Sequence, residues 1–424
     1  MVTGTDIKDI AHAVEAAAVM KLLPARPRLL ALGEPTHGED TLLDLRNELF
    51  RQLVEQADHH EQGDRHVQED PQKIQDGRRT IAIESDCMMG LVVDDYVTSG
   101  KGTLDEVMAR GFSHGWGASA ANRELVRWIR AYNDGRPPSE QLRFAGFDGP
   151  LEITGAASPR QALTALHEYL AVAARVDTGL LPCTAETLDR LLGPDDRWTD
   201  PAAMTDPSQS VGQSAEAGKL RLLADDLVAL LETQTPHLIT ATSRDDWDRA
   251  RLYGRTAAGL LRYHHWMADT SPARMTRLVG LRDRMMADNL LAVAARGPAL
   301  VHAHNSHLQR EKSTMRMWDQ PPVEWWSAGA IVSAHLGEEY AFLATALGTI
   351  RHQGVGTPPP DTLEGLLYAL PEDRCLIDAP RLATALGDML PAPRVSPYYG
   401  YAPLDPAHLP AYDGLVFIKD VPQT

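Results

Sequence analysis

The chain has 424 residues, 43% hydrophobic and 23% charged, which is the composition of a soluble globular protein with room for one large α/β domain plus an insertion, or for two domains. Lys and Arg number 41 against 58 Asp and Glu, a formal charge of −17, which argues against nucleic acid or an anionic membrane surface as partner but allows a local basic pocket for an anionic small molecule. Cys87, Cys183 and Cys375 form no CxxC pair, and no basic-then-apolar leader or membrane-length apolar run is present, so a cytoplasmic enzyme acting on a small molecule is the expectation.

Taken in chain order, residues 6–23 read as a helix and 28–33 as a strand that stops at Glu34-Pro35-Thr36-His37. A second helix is expected over 41–56. The polar stretch 57–79, with His59, His60 and His66, reads as a solvated insertion or loop whose histidines are surface residues rather than metal ligands. Residues 80–83 form the next strand candidate, ending at Glu84-Ser85-Asp86. Helices follow over 88–98, 104–111 and 122–133, the last with Leu125, Val126, Trp128, Ile129 and Tyr132 at helical spacing. A third strand, 142–147, ends at Asp148. Residues 158–286 are Ala-, Leu- and Arg-rich and helical in period, interrupted by a Pro-, Asp- and Ser-rich connection over 182–213. Strand candidates return at 299–303, running into His304-Asn305-Ser306-His307, and again at 340–347 and 415–418. The pattern predicts an α/β protein: a predominantly parallel central sheet flanked by helices, with an inserted helical subdomain. Residues 1–150 would form the first part of the core, 151–290 the insertion and 291–424 the second part of the core.

Four apolar runs thus share one layout, each stopping abruptly at an acid or a histidine. Strands separated by helices pair in parallel, and their carboxyl ends converge on one edge, where ligands bind. Glu34, His37, Glu84, Asp148, His304 and His307 are therefore expected to meet. Carboxylates beside histidines, without a stock cofactor motif, point to acid–base chemistry. A carboxylate that orients the His37 ring and favours its imidazolium makes that ring a better proton acceptor. Three roles stand open for His304 and His307: polarising a carbonyl, protonating a leaving oxygen, or binding a divalent metal. Arg46 lies in the middle of the apolar face Leu42, Leu45, Leu49, Phe50 and Leu53, and a buried guanidinium needs carboxylate partners. Glu34 and Glu84 are the expected ones, unless Arg46 snorkels to the helix edge. His114 and Trp116, in a Gly-rich loop, are expected to line a substrate pocket together with Asp148. Ser306, beside two histidines, is a possible nucleophile, although no G-x-S-x-G elbow, H-E-x-x-H or Walker loop is present.

The motifs Gly33-Glu34-Pro35-Thr36-His37-Gly38, Ile83-Glu84-Ser85, Phe144-Ala145-Gly146-Phe147-Asp148 and Ala303-His304-Asn305-Ser306-His307 resemble, in order, those of the erythromycin esterase family. Residues 125–133, 282–289 and 412–418 add to the likeness, which runs from about residue 28 to 418. The resemblance implies a hydrolase that opens a macrolide lactone with a histidine-activated water, without an acyl-enzyme; the family's motifs do not settle the need for a metal, a metal-free mechanism fits a histidine base, and no metal or cofactor is expected. By the same resemblance His37 would be the general base and Glu34 its neighbour, Arg46 and Glu84 a buried charged pair, and His304 and His307 a second histidine cluster. Two departures, Gly149-Pro150 after Asp148 and the small-residue run 117–121 after Trp116, fall where a substrate pocket is expected. Two other readings remain: a biosynthetic enzyme using the same site for non-hydrolytic ring opening, elimination or cyclisation, and a non-enzymatic module that binds a metal or haem through His304, His307 and nearby acids.

Overall fold

Eight strands form one sheet. In chain order they are β1 (Ala11–His12), β2 (Leu29–Glu34), β3 (Thr80–Asp86), β4 (Arg143–Asp148), β5 (Ala299–His304), β6 (Tyr340–Thr349), β7 (Arg374–Ile377) and β8 (Gly414–Asp420). Their order across the sheet is β1-β7-β8-β6-β2-β5-β3-β4. From β8 to β4 every neighbouring pair is parallel, and only the β1 and β7 edge is antiparallel. This computed structural model describes residues 9–64, 79–152, 155–316, 321–387, 390–396, 398 and 400–422. The sheet class is the one expected from sequence.

The central strands are buried on both faces, which is why they read as unbroken apolar runs. Successive residues still divide between two cores. Leu30, Leu32, Ile81 and Ile83 pack on one side, Leu29, Ala31, Ala82 and Val301 on the other. The first side is covered by α1 (Asp40–Asp64), α2 (Cys87–Ser99) and α3 (Ala120–Asn133), which contribute Leu43, Val93 and Leu125. Helix α2 can begin directly at the end of β3 because the Asp86 carboxylate accepts the Met88 and Met89 amide hydrogens, at 2.6 and 3.2 Å.

Between β4 and β5 the described chain is helical apart from one small hairpin. Its principal helices are α4 (Arg160–Glu168), α5 (Ala215–Thr233), α6 (Arg244–Met267) and α7 (Arg274–Ala294). Helices α4, α5 and α6 share a core of Leu163, Leu166, Leu220, Leu227 and Leu261, whereas α7 packs Met286 and Leu290 against the second face of the sheet. Helix α7 is therefore the element that carries side chains from the helical region to the strand ends.

Three sequence expectations change. Residues 6–23 are not one helix: β1 at Ala11–His12 precedes a helix limited to Ala16–Leu22, and residues 1–8 lie outside the described part. Helix α1 runs to Asp64 rather than ending near 56, and residues 65–78 of the polar stretch, including His66, lie outside the described residues. Strand β7, four residues between Pro- and Asp-rich turns, was too short for a pattern to reveal. Among the described residues no helix is long and apolar enough to cross a membrane.

Candidate active site

The parallel register levels the strand ends. Glu34 on β2 stands opposite His304 on β5, and His302 on β5 is flanked by Leu32 on β2 and Ile83 on β3. Gly33 allows the turn after β5 to close over β2, because a Cβ there would collide with the Asn305 side-chain oxygen. That Asn305 amide is tied to both backbone groups of Thr345 on β6, at 2.8 and 3.2 Å. The result is a floor of levelled strand ends from which the polar side chains rise.

Glu34 is fully buried and gripped from both sides. His37, three residues on, folds back so that its Nδ1 lies 2.6 Å from Glu34 Oε1. His302 Nε2 lies 3.1 Å from Glu34 Oε2, and its Nδ1 lies 3.1 Å from the Leu32 carbonyl, so both ring nitrogens of His302 face acceptors. Burial alone would raise the Glu34 carboxyl, but the two imidazoles outweigh it and hold the group at about 2.

Glu84 is the second hub. Its Oε1 lies 3.3 Å from Arg282 Nη2, 3.4 Å from His307 Nε2 and 3.9 Å from His37 Nε2, while Oε2 accepts the His304 amide hydrogen at 2.9 Å. Burial opposes its charge, yet His307, His37, Arg282 and that amide keep it ionised far below the usual carboxylate range. Arg282 and Asp283 are consecutive on α7, so they point about 100° apart. Arg282 turns to Asp148, with Nη2 2.6 Å from Oδ2, and to Glu84. Asp283 turns to His307 Nδ1 at 3.0 Å and accepts the Ala328 amide hydrogen at 2.8 Å.

The histidines are electrostatically unlike. Burial pulls the His37 imidazole down, but Glu84 and Glu34 outweigh that and raise it to about 8. His304 is pulled down to about 4 by burial, by His37 and by His307, with Glu84 offsetting only part, so its ring is neutral near pH 7. Its tautomer follows from α8 (Asn305–Leu308): His304 Nδ1 accepts the Ser306 amide hydrogen at 3.2 Å, which leaves the hydrogen on Nε2. His307 is raised by Asp283 and Glu84 against the pull of burial.

His37, Glu84, Arg282, His304 and His307 line a cleft of about 790 Å³ whose walls include His114, Trp116, Ser306 and Trp325. Trp116 stands edge-on to the His37 ring, with centroids 5.4 Å apart. His114 is held between Asp148, 3.0 Å from Nε2, and Glu152, 2.7 Å from Nδ1, in a left-handed backbone conformation at φ 52°. Those two acids outweigh burial and raise its imidazole to about 9. Among the described residues no group of three or more His, Cys, Asp or Glu is arranged to hold a metal ion.

Two sequence-predicted roles need correction. Arg46 is buried as expected, at 1% exposure, but pairs with no carboxylate among the described residues. Its guanidinium donates to Asn47 Oδ1 at 2.7 Å and Asn122 Oδ1 at 2.8 Å, because α3 crosses α1 at that point and presents an amide. The cation beside Glu84 is Arg282. Asp148 does not line the cleft; it is fully buried beneath Arg282 and His114 and holds both in place. Sequence reasoning missed Arg282, Asp283 and His302 as members of the cluster. The signal for the first two was their place at the start of the stretch 282–289, which was read for its family likeness and not for its charges.

Comparison with known proteins gives the class. The family model described as "Erythromycin esterase" matches residues 74–421, and the chain belongs to that family. The match begins after β2, so Glu34 and His37 lie outside it. Among solved structures, a Bacillus cereus protein is similar with a TM-score of 0.66 and 19% identity, covering 99% of this chain and 98% of that one. A succinoglycan biosynthesis protein has a TM-score of 0.65 and 14% identity over 98% and 96% of the two chains. A mutant of the erythromycin esterase EreC in its open conformation has a TM-score of 0.59 and 18% identity over 92% and 90%. No curated protein sequence matches the chain significantly.

Proposed function

We propose that this protein hydrolyses an ester or lactone bond of a small molecule, macrolide-like or another natural product, with His37 activating the attacking water. One observation carries the reading. The Nδ1 of His37 is occupied by Glu34, its Nε2 lies 3.9 Å from Glu84 Oε1, and the ring lines the cleft beside a neutral His304 whose centroid is 5.3 Å away. A base whose far nitrogen is fixed by a carboxylate is oriented for proton abstraction.

In this reading a water held against His37 Nε2 gives up its proton as its oxygen bonds to the substrate carbonyl carbon. The tetrahedral oxyanion receives the His304 Nε2 hydrogen. It also receives Arg282 Nη1, which donates to none of the described residues while Nε and Nη2 are engaged by Asp148 and Glu84. Glu34 and Glu84 stabilise the imidazolium that forms at His37, which then passes its proton to the leaving alkoxide as the carbon–oxygen bond breaks. Acid and alcohol are the products. A positioned base and an oxyanion donor each contribute roughly 10²–10⁴-fold.

Turnover of a macrolide or simple lactone panel in ¹⁸O-labelled water tests the reaction class. Hydrolysis places the label in the product carboxyl group. Turnover with an unlabelled product would replace this reading with non-hydrolytic ring opening, elimination or cyclisation.

A further inference from the structure

Of the arginines of the helical region, Arg282 lines the cleft, but those of α5 and α6 do not. Three of its arginines, Arg251, Arg255 and Arg262, fall on one stripe of α6, and Arg221 on α5 faces them across a groove of about 660 Å³. None of the residues lining this groove lines the cleft. Gly218 and Ala258 keep it open: a Cβ built on Gly218 meets nothing within 4 Å.

Arg255 lies at the inner end, where the groove adjoins a second cavity of about 400 Å³ against β4, α2 and α7. Its Nε donates to Asn289 Oδ1 at 2.6 Å, and no carboxylate lies within 4 Å of its guanidinium among the described residues. The nearby acids are already engaged: Asp248 by Arg244 and Arg296 at 3.4 and 3.7 Å, Asp288 by Arg284 at 2.8 Å. Burial pulls the Arg255 guanidinium down to about 10, with Cys87, Asp288 and Asp248 opposing that pull and Arg251 adding to it. A half-buried, un-neutralised guanidinium with two free nitrogens beside a cavity is an electrostatic cost that an oxyanion would remove. Arg221 and Arg262 likewise form no ion pair with the described residues. The two acids of the groove are Asp225 and Glu232, and Glu232 is bound to Arg251 at 3.1 Å. A cationic groove on a chain of net charge −17 is a local reversal of the protein's field.

We infer that the groove between α5 and α6 is a binding site for a small phosphate-bearing anion, with Arg255 gripping one phosphate and Arg221 and Arg262 a second. Arg255 and Arg262 are seven residues apart, about 10 Å along the helix. That span suits two or three linked phosphates better than one.

Isothermal titration of the full chain with inorganic phosphate, pyrophosphate and tripolyphosphate tests the site. Saturable binding is expected, tighter for the longer anions. Arg255→Met should weaken all three by about tenfold to a hundredfold, the range for a charged hydrogen-bond pair. The double variant Arg221→Gln/Arg262→Gln should weaken pyrophosphate and tripolyphosphate while sparing phosphate. It alters only groups with no protein partner, so it decides the matter if Arg255→Met does not fold. No saturable binding at millimolar anion, or unchanged affinity of the double variant for the longer anions, overturns the proposal.

Discussion

Two arginines packed against the sheet show how differently a fold can treat the same charge. On the β2 side, Arg46 is surrounded by neutral amides, Asn47 and Asn122, whose own amide hydrogens go to the Ala121 and Trp116 carbonyls at 2.9 and 3.0 Å. Burial pulls its guanidinium down to about 10, and Glu34, Asp44 and Asp40 offset this only in part. On the β4 side, Arg282 is also desolvated, but Asp148 and Glu84 outweigh burial and raise it. The first arginine uses Nε and Nη2 to tie α1 to α3 through two amides, and it does not line the cleft. The second spends Nε and Nη2 on carboxylates and lines the cleft. A buried cation held by amides is part of the scaffold; one held by carboxylates with an open face is available for chemistry.

Five experiments break or sharpen this contrast. The largest effect falls on neither arginine: His37→Ala should lower turnover ~10²–10⁴-fold, with the melting temperature retained well above pH 8, where the ring is neutral and its ion pair with Glu34 no longer contributes. Hydrolysis at the wild-type rate would remove the base from the scheme. Next, Arg282→Met leaves Asp148 and Glu84 without their cation. Urea unfolding should show a loss of ~3–5 kcal/mol, and turnover of the remaining folded enzyme should fall as well.

Arg46→Met should cost ~1–3 kcal/mol, because Asn47 and Asn122 lose a buried donor, while kcat of the folded variant stays within a few-fold of wild type. A large drop in kcat at unchanged stability would place Arg46 among the reacting groups and erase the distinction drawn here.

The pH dependence comes next in size. His37 acts as a base only when deprotonated, and its imidazole is raised from 6.5 to about 8. A plot of kcat/KM should therefore rise with pH and level off above about 8. The stabilising contribution of the same ion pair has the opposite sign: it is full below 6.5 and disappears as pH rises through about 8. Activity and stability should cross over in that window, and a profile that is flat between pH 6 and 9 would contradict the assignment. The smallest effect belongs to Ser306→Ala. Its hydroxyl lies 2.7 Å from His304 Nδ1, and loss of one such hydrogen bond should cost about fivefold in kcat. Complete loss, with a covalent acyl adduct detected in the wild type by mass spectrometry, would make Ser306 a nucleophile instead.

Much of this molecule could be read along the chain. Residues 29–33, 80–83, 143–147 and 299–303 are strands because doubly buried parallel strands are largely apolar, and each run visibly ends at Glu34, Glu84, Asp148 or His304. Convergence of those ends follows from parallel pairing alone. Partner choice did not follow. The helical period correctly put Arg46 indoors, but a one-dimensional pattern cannot say whether an amide or a carboxylate waits there. Arg282 and Glu84 are separated by 198 residues, and only the docking of α7 on β3 and β4 brings them together. His302 looked like a strand residue until the register set its ring against Glu34. The amino-acid sequence by itself determined where strands begin and stop, because period and burial are local. Only the tertiary structure decided which charges meet and which histidine stays neutral, because electrostatic energy depends on distances and desolvation that no short stretch of chain contains.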